Sequence, residues 1–451
     1  MRRVPLVEVL HPAPDPWELA RSLSALPHLL FFDSSDRSGS LGRYSFVTAD
    51  PLHWITVDRV ADGDDPFAAL RHWLRDPAEG LPDLPPFQGG LAGLFGYGLG
   101  HAIERFPRPA HDEFAVPDLA VGVYDWVVAF DHQRNLAWLI AHSPGRMLKV
   151  QSYLQRPQAA GVQPVTEPVV PSSPHVPLQG YPRVFSNFDR ESYLRTVARA
   201  VEYVHAGDCF QVNIAQRLLA PQREPAFETY ARLRQRNPAP FSGYFDLGSF
   251  AIASASPERF LRVQDRHVET RPIKGTRPRG KNSDDDARIC HELAHSAKDR
   301  AENVMIVDLL RNDLGRVCEY GSIRVPQVCD VETYRFVHHL VSSVTGTLRT
   351  ECDAFDLLKA TFPGGSVTGA PKVRALEIIG ELEPSARGPY CGSLGYIGFD
   401  GTMDANILIR TFTIGKGWLQ FPVGGGIVAD SDPAREYEET LHKAAGLLAS
   451  I

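Results

Sequence analysis

Ala297-Lys-Asp-Arg-Ala-Glu-Asn-Val-Met-Ile-Val-Asp-Leu-Leu-Arg-Asn-Asp-Leu-Gly315 reads as one helix with a stop at its end. Helix-forming residues dominate it, and Gly315 is a natural C-terminal stop. Asp299 and Glu302 are three residues apart, so they share a face. Val304, Ile306, Val307, Leu309 and Leu310 predict that much of this helix is buried. Acidic groups beside a buried stretch need a partner or a cation. On either side, Phe250-Ala-Ile-Ala-Ser254 and Val337-His-His-Leu-Val-Ser-Ser-Val344 read as buried strands. Strands and helices mixed without regular βαβ alternation predict an α+β fold.

Further along, Ser431-Asp-Pro-Ala-Arg-Glu-Tyr-Glu-Glu-Thr-Leu-His-Lys443 predicts a second acidic helix. Asp432 suits the N-cap and Pro433 the first helical position. Glu436, Glu439 and Lys443 then follow on one face. Two helices each offering a carboxylate pair could hold a hard cation, with substrate and water completing its shell. A solvated, salt-bridged surface would carry the same spacing.

Glycine punctuates the rest of the region. Phe421-Pro-Val-Gly-Gly-Gly-Ile-Val428 reads as a loop whose backbone amides can approach an anion. Phe362-Pro-Gly-Gly-Ser-Val-Thr-Gly-Ala-Pro-Lys372 has the same character and leads into a helical run from Val373 to Leu382. With Arg410, these glycines suggest a substrate bearing carboxylates. Lys274 lies in Thr270-Arg-Pro-Ile-Lys-Gly-Thr-Arg-Pro-Arg-Gly280. Burial would make its amine a nucleophile, whereas exposure would make it an ordinary ion-paired lysine. Gly90-Leu-Ala-Gly93-Leu-Phe-Gly96-Tyr97 echoes Gly392-Ser-Leu-Gly395-Tyr-Ile-Gly398-Phe399. Both read as strands where backbones pack closely.

The whole chain of 451 residues is long enough for one large core or two ordinary ones. A net charge of −7 argues against a nucleic-acid surface, which needs clustered Lys and Arg. No apolar run approaches a membrane span, and Met1-Arg2-Arg3 does not open a signal peptide. The six cysteines are scattered without a CxxC pair, as expected of reduced cytoplasmic thiols. Cys391 and Cys209 have the context of packing residues rather than nucleophiles. Prolines crowd the stretch from Pro157 to Pro182. This predicts a connector over 151–187 between an N-terminal segment, 1–150, and a catalytic region, 188–451.

Nine of these stretches, in order, resemble the motifs of the chorismate-utilising enzymes. They are Ser256-Pro-Glu258, Arg271-Pro-Ile-Lys-Gly-Thr276, Ala297 to Glu302, Val307 to Asp313, His339-Leu-Val-Ser342, Gly365 to Lys372, Ile409-Arg-Thr411, Gly424-Gly-Gly426 and Glu436-x-x-Glu439-x-x-x-Lys443. The resemblance is strong from about residue 188 onward, and Phe87-Gln-Gly-Gly90 and Val123-Tyr-Asp-Trp126 extend it toward the N-terminus. It implies the family's fold, two packed antiparallel β-sheets with surrounding helices and strands from both halves. It implies Mg²⁺ held by Glu302 and Glu439, with Asp299 and Glu436 as supporting carboxylates. Arg410, Tyr390 and the amides of Gly424, Gly425 and Gly426 match positions that hold the pyruvyl carboxylate of chorismate. Lys443 matches a residue near the metal, His339 an active-site histidine and Ser366 a hydroxyl near the ring. His338, its neighbour on a strand, is expected to face elsewhere.

Two positions separate the branches of the family. Members that add water carry a lysine base where this chain has Gln211, so isochorismate and salicylate synthesis are not expected. Members that make anthranilate carry alanine where this chain has Lys274, whereas lysine marks those that aminate chorismate at C4. The resemblance thus implies a route to 4-amino-4-deoxychorismate, and onward to 4-aminobenzoate and folate. Lys274 would add covalently at C2 and Glu258 would be the general acid. Ammonia would come from a separate glutamine amidotransferase subunit. The runner-up is the first component of anthranilate synthase, and a third reading is a non-catalytic metabolite sensor.

Overall fold

A computed structural model describes residues 4–75, 78–155, 165–171 and 175–451. Its centre is a pair of antiparallel sheets, of thirteen and ten strands among the described residues. Across the larger sheet run Leu6–Leu10, Leu136–Ala141, Trp126–Asp131, Tyr44–Thr48, Leu30–Asp33, Phe241–Asp246, Ala251–Ser256, Thr411–Gly415, Trp418–Ile427, Gln211–Pro221, Tyr181–Ser186 and Val176–Leu178. The short strand Gly369–Ala370 pairs beside Gln211–Pro221. The smaller sheet runs Ile273–Pro278, Val337–Thr347, His267–Thr270, Arg259–Gln264, Met403–Asn406, Ser393–Gly398, Gly90–Phe95, Leu119–Tyr124 and His53–Val57, with Arg324–Thr333 also on Val337–Thr347. Strands from before and after the proline stretch lie side by side in both sheets.

Alternation along the strands builds the layers. Leu91 and Phe95 face one core, whereas Ala92 and Leu94 face another. The second core lies between the sheets, where Phe32 and Phe46 of the larger sheet meet Tyr396 of the smaller, with ring centroids 5.7 and 5.9 Å apart. Helices cover the outer faces. The glycine echo has a structural basis, because Gly90–Phe95 and Ser393–Gly398 pair directly, with Gly93 opposite Gly395. A Cβ on Gly93 would stand 2.2 Å from the Ala120 carbonyl oxygen, and one on Gly395 2.6 Å from Ala405 Cβ.

Both acidic helices form where the sequence predicts them. Ala297–Gly315 is capped by Ser296, whose side chain accepts from the Asp299 amide. Asn303, Ile306, Val307, Leu310 and Leu314 form its buried face. Val304, expected inside, is 43% exposed, because it sits off this stripe. Pro433–Leu448 is capped by Asp432 and packs on strand Trp418–Ile427 and on helix Arg190–His205. No helix among the described residues is long and apolar enough to cross a membrane.

Of the predicted connector over 151–187, residues 156–164 and 172–174 lie outside the described residues. The remainder is partly regular, with helix Pro144–Gln155 before it and strands Val176–Leu178 and Tyr181–Ser186 within it. Val169 is pinned to the larger sheet: its amide donates to the Lys416 carbonyl at 3.1 Å and its carbonyl accepts from Trp418 Nε1 at 2.7 Å.

Candidate active site

Ala251–Ser256 belongs to the larger sheet and Arg259–Gln264 to the smaller, so Pro257 and Glu258 are the two residues on which the chain crosses between them. Glu258 is 5% exposed. Ser366 Oγ donates to its Oε1 at 2.6 Å, and the Ser366 carbonyl accepts from Lys274 Nζ at 3.0 Å. One residue thus touches both the buried acid and the lysine. Lys274 arrives from strand Ile273–Pro278, where the register slips between Ile273 and Thr276. Gly275 sits in this bulge at φ +78°, and a Cβ there would be 3.0 Å from the Asp299 side chain. The missing side chain lets the strand close onto helix Ala297–Gly315.

Charge follows from this enclosure. Burial pushes Glu258 up to about 7, against the Ser366 hydrogen bond and the nearby Lys274 charge. Burial pushes the Lys274 amine down, against Glu302 and Glu258. Burial thus favours the uncharged form of both groups. His339 is also buried, with Nδ1 2.8 Å from Thr276 Oγ1. Burial, helped by Arg410, lowers it to about 4, so it is neutral at pH 7. His338 turns away, with Nε2 2.9 Å from Asp286 and Nδ1 2.9 Å from Thr333.

Glu436, Glu439 and Lys443 converge over Gly425. A Cβ there would lie 3.3 Å from Glu436 Oε2 and 3.6 Å from both Glu439 Oε1 and Lys443 Nζ. Lys443 pairs with Glu439 at 2.7 Å and donates to the Gly424 carbonyl at 3.0 Å. Glu436 accepts from Ser431 Oγ at 2.7 Å. Burial raises Glu302 and Glu436, and in each case the Glu439 charge adds to the rise. Burial works the same way on Glu439, but Lys443 together with Lys298 and Lys274 outweighs it and leaves that carboxyl below its ordinary range. Asp299 is engaged elsewhere, in an ion pair with Arg277 at 2.8 Å. Among the described residues, no three such side chains converge closely enough to enclose a metal ion by themselves.

The glycine run expected as a loop is instead the end of strand Trp418–Ile427. Gly424, Gly425 and Gly426 pair with Ala215, Ile214 and Asn213. Strand geometry wins because the neighbouring strand Gln211–Pro221 supplies a continuous ladder. Absent side chains still matter, since a Cβ on Gly426 would stand 2.7 Å from Gln211 Nε2. Gln211 is fully buried, and neither Nε2 nor Oε1 has a hydrogen-bond partner among the described residues. Arg410, at φ +53°, donates to the Lys443 carbonyl, and Tyr390, Glu439 and His339 are among its charged and polar neighbours. Tyr390 is buried.

The sequence did not reveal two contacts of the 362–372 segment. The Ser366 carbonyl is one, since a backbone acceptor leaves no residue-type signal. Lys372 is the other: it pairs with Asp313 at 2.6 Å and donates to the Thr361 carbonyl at 2.6 Å. The ion pair ties helix Ala297–Gly315 to the start of helix Lys372–Leu382. Lone Lys and Asp residues that far apart in sequence gave no hint of it. Cys209 and Cys391 are buried, and burial pushes their thiols up to about 11 and about 12.

Comparison with known proteins agrees with this geometry. The chorismate binding enzyme family model matches residues 30–449. Aminodeoxychorismate synthase component 1 of Escherichia coli (strain K12) is 42% identical, covering 95% of this chain and 94% of the relative. Anthranilate synthase component 1 of Thermus thermophilus is 43% identical, covering 91% and 87%. The crystal structure of anthranilate synthase component I from Streptococcus pneumoniae TIGR4 superposes with a TM-score of 0.77 at 31% identity, covering 90% of this chain and 92% of that one. The fold, the motifs and the matched length together make this chain a member of the chorismate binding enzyme family.

Proposed function

We propose that this chain is the synthase subunit of a cytoplasmic aminodeoxychorismate synthase, converting chorismate and ammonia to 4-amino-4-deoxychorismate. The observation that carries the reading is the Lys274–Ser366–Glu258 arrangement. It sets an amine with a lowered pKa beside a carboxyl pushed up to about 7. An acid and a nucleophile tuned toward one pH are what a hydroxyl displacement requires.

In the proposed reaction, the neutral Lys274 amine adds at C2 and the ring double bonds shift. The C4 hydroxyl departs as water with the proton of Glu258. Ammonia then adds at C4, the double bonds shift back and the Lys274 amine is expelled. A proton lost by the incoming ammonia restores Glu258. The net change is chorismate plus ammonia to aminodeoxychorismate plus water. Neutral His339 can serve as a hydrogen-bonding partner without adding charge. Arg410 and Tyr390 are assigned to the pyruvyl carboxylate.

The donor set fits Mg²⁺. Glu302 and Glu439 are hard oxygen donors on separate helices, Glu302 feels the charge of Glu439, and Glu302 makes no hydrogen bond or ion pair among the described residues. Because no closed cluster exists among the described residues, substrate carboxylate and water would complete the shell, as Mg²⁺ prefers. When bound, the ion would offset the charge of the ring carboxylate. Glu436 and Asp299 would support from beside it, Lys443 would release Glu439, and a glutamine amidotransferase partner would supply ammonia.

Anthranilate synthase is the second reading, supported by the 43% identical relative. The test is to incubate the chain with chorismate, Mg²⁺ and an ammonium salt. Products are identified by mass spectrometry, with pyruvate measured in parallel. A nitrogen-bearing product that retains its enolpyruvyl group, and that an added lyase converts to 4-aminobenzoate, supports C4 amination. Anthranilate with equimolar pyruvate overturns it.

A further inference from the structure

Ser366 is the joint between Glu258 and Lys274, so whatever holds Ser366 sets the distance between acid and amine. Its own turn, Gly365–Val367, has long backbone bonds and is closed by Thr368 Oγ1, which donates to the Gly364 carbonyl at 3.0 Å. The Val367 amide reaches the Gly364 carbonyl at 3.2 Å, and the Thr368 amide reaches the Gly365 carbonyl at 3.4 Å. The Val367 carbonyl is held from outside, by Arg387 Nη1 at 3.0 Å.

Arg387 is 4% exposed and is gripped on every side. Nη2 donates to the Asn213 carbonyl at 2.9 Å and to Glu383 Oε1 at 2.6 Å, and Nε donates to Glu383 Oε2 at 2.9 Å. Glu383 Oε1 also accepts from the Ala215 amide at 2.9 Å. The guanidinium lies 4.9 Å from the Tyr97 ring centroid and 5.8 Å from that of Tyr390. One planar cation therefore links the Ser366 turn to the strand of Gln211 and Asn213, and it does so beside Tyr390. Burying an ion pair is costly, and apolar packing could fill this space at less expense. What apolar packing could not do is fix two carbonyls from different elements in one plane.

We propose that Arg387 is a positioning residue. It holds the 365–367 turn so that Ser366 presents its hydroxyl to Glu258 and its carbonyl to Lys274. The inference rests on the proposed roles of those two groups.

The test compares Arg387→Lys, Ser366→Ala and the double variant. Lysine keeps the charge but loses the fork that reaches both carbonyls. Arg387→Lys is expected to lower kcat by about tenfold or more with little change in KM, as misplaced reacting groups do. The alkaline limb of its pH profile should move upward, because Glu258 loses the Ser366 hydrogen bond that favours its charged form. In the double variant, Arg387→Lys should add little to the loss already caused by Ser366→Ala. Independent losses that multiply, or an unchanged kcat and pH profile beside a lowered Tm, would overturn the proposal and leave Arg387 a stability residue. Glu383→Gln, which removes the charge and turns one of the two oxygens that accept from Arg387 into a donor, should show the same changes and serves if Arg387→Lys fails to fold. A second readout needs no turnover: acetylation of Lys274, followed by mass spectrometry across pH, should shift in Arg387→Lys. If wild type makes no aminated product, the functional proposal fails, while a coincident or shifted labelling profile still decides this one.

Discussion

Glu258 keeps its proton up to about pH 7 because burial outweighs both the Ser366 hydrogen bond and the Lys274 charge. Its folded pKa lies above the ordinary 4.5, so the stability it contributes is whole below 4.5 and is lost as pH rises through 7. Glu258→Gln cannot ionise, so it should melt above wild type at alkaline pH and not at pH near 4. Its kcat should fall by about 10²–10⁴-fold, as steady-state assays would show. Ser366→Ala should move the alkaline limb of kcat/KM to higher pH, since a donor to the carboxylate is gone. Lys274→Ala should reduce C4 amination to near background, and normal turnover by that variant with ammonia would exclude the nucleophile role. Lys274 and Glu258 could be named from the sequence because each sits in a short motif that carries the family resemblance. Arg387 could not, since its partners are two backbone carbonyls and residues from other segments.

Elements decide how the two acidic helices meet the sheets. Their existence was legible in spacing and in end signals: Gly315 stops the first and Asp432 starts the second where the sequence placed them. The glycine run was misread because a strand rich in glycine has no side-chain alternation to display. Its partner, Gln211–Pro221, is distant in sequence. Gly424→Ala would place a Cβ 2.6 Å from the Ile214 carbonyl oxygen, and backbone must move to relieve it. A loss of about 1–3 kcal/mol is expected in denaturant unfolding. Lys372→Met should cost about 3–5 kcal/mol by leaving Asp313 buried and unpaired, and adding Asp313→Leu should recover much of it. If Glu302 and Glu439 share a bound ion, Mg²⁺ at a hundred times its Kd should stabilise wild type by about 2.7 kcal/mol. A thermal shift of equal size in Glu302→Gln would refute that pairing.

On the scale of the whole molecule, neither half of the chain owns a sheet. The larger sheet takes Leu30–Asp33 from before the proline stretch and pairs it with Phe241–Asp246 from after it. The smaller pairs Gly90–Phe95 with Ser393–Gly398. Fragments 1–155 and 188–451, expressed singly, should therefore show no cooperative thermal transition, whereas together they should restore one. A cooperative melt of either alone would show that the halves are separate domains. The α+β class was visible in the sequence, but the strand order was not, because antiparallel neighbours hundreds of residues apart leave no local trace.

The placement of the acid and the lysine sets their freedom to vary. Glu258 stands on the two-residue crossover that joins the sheets, so shifting it would disturb both. Lys274 stands on the outermost path of the smaller sheet, in a bulge where the ladder is already broken. If the two take the roles proposed for them, the scaffold separates a fixed proton source from an exchangeable reagent. A lineage could retool which atom attacks the ring by editing that margin alone, with the proton source and the layers beneath it inherited unchanged.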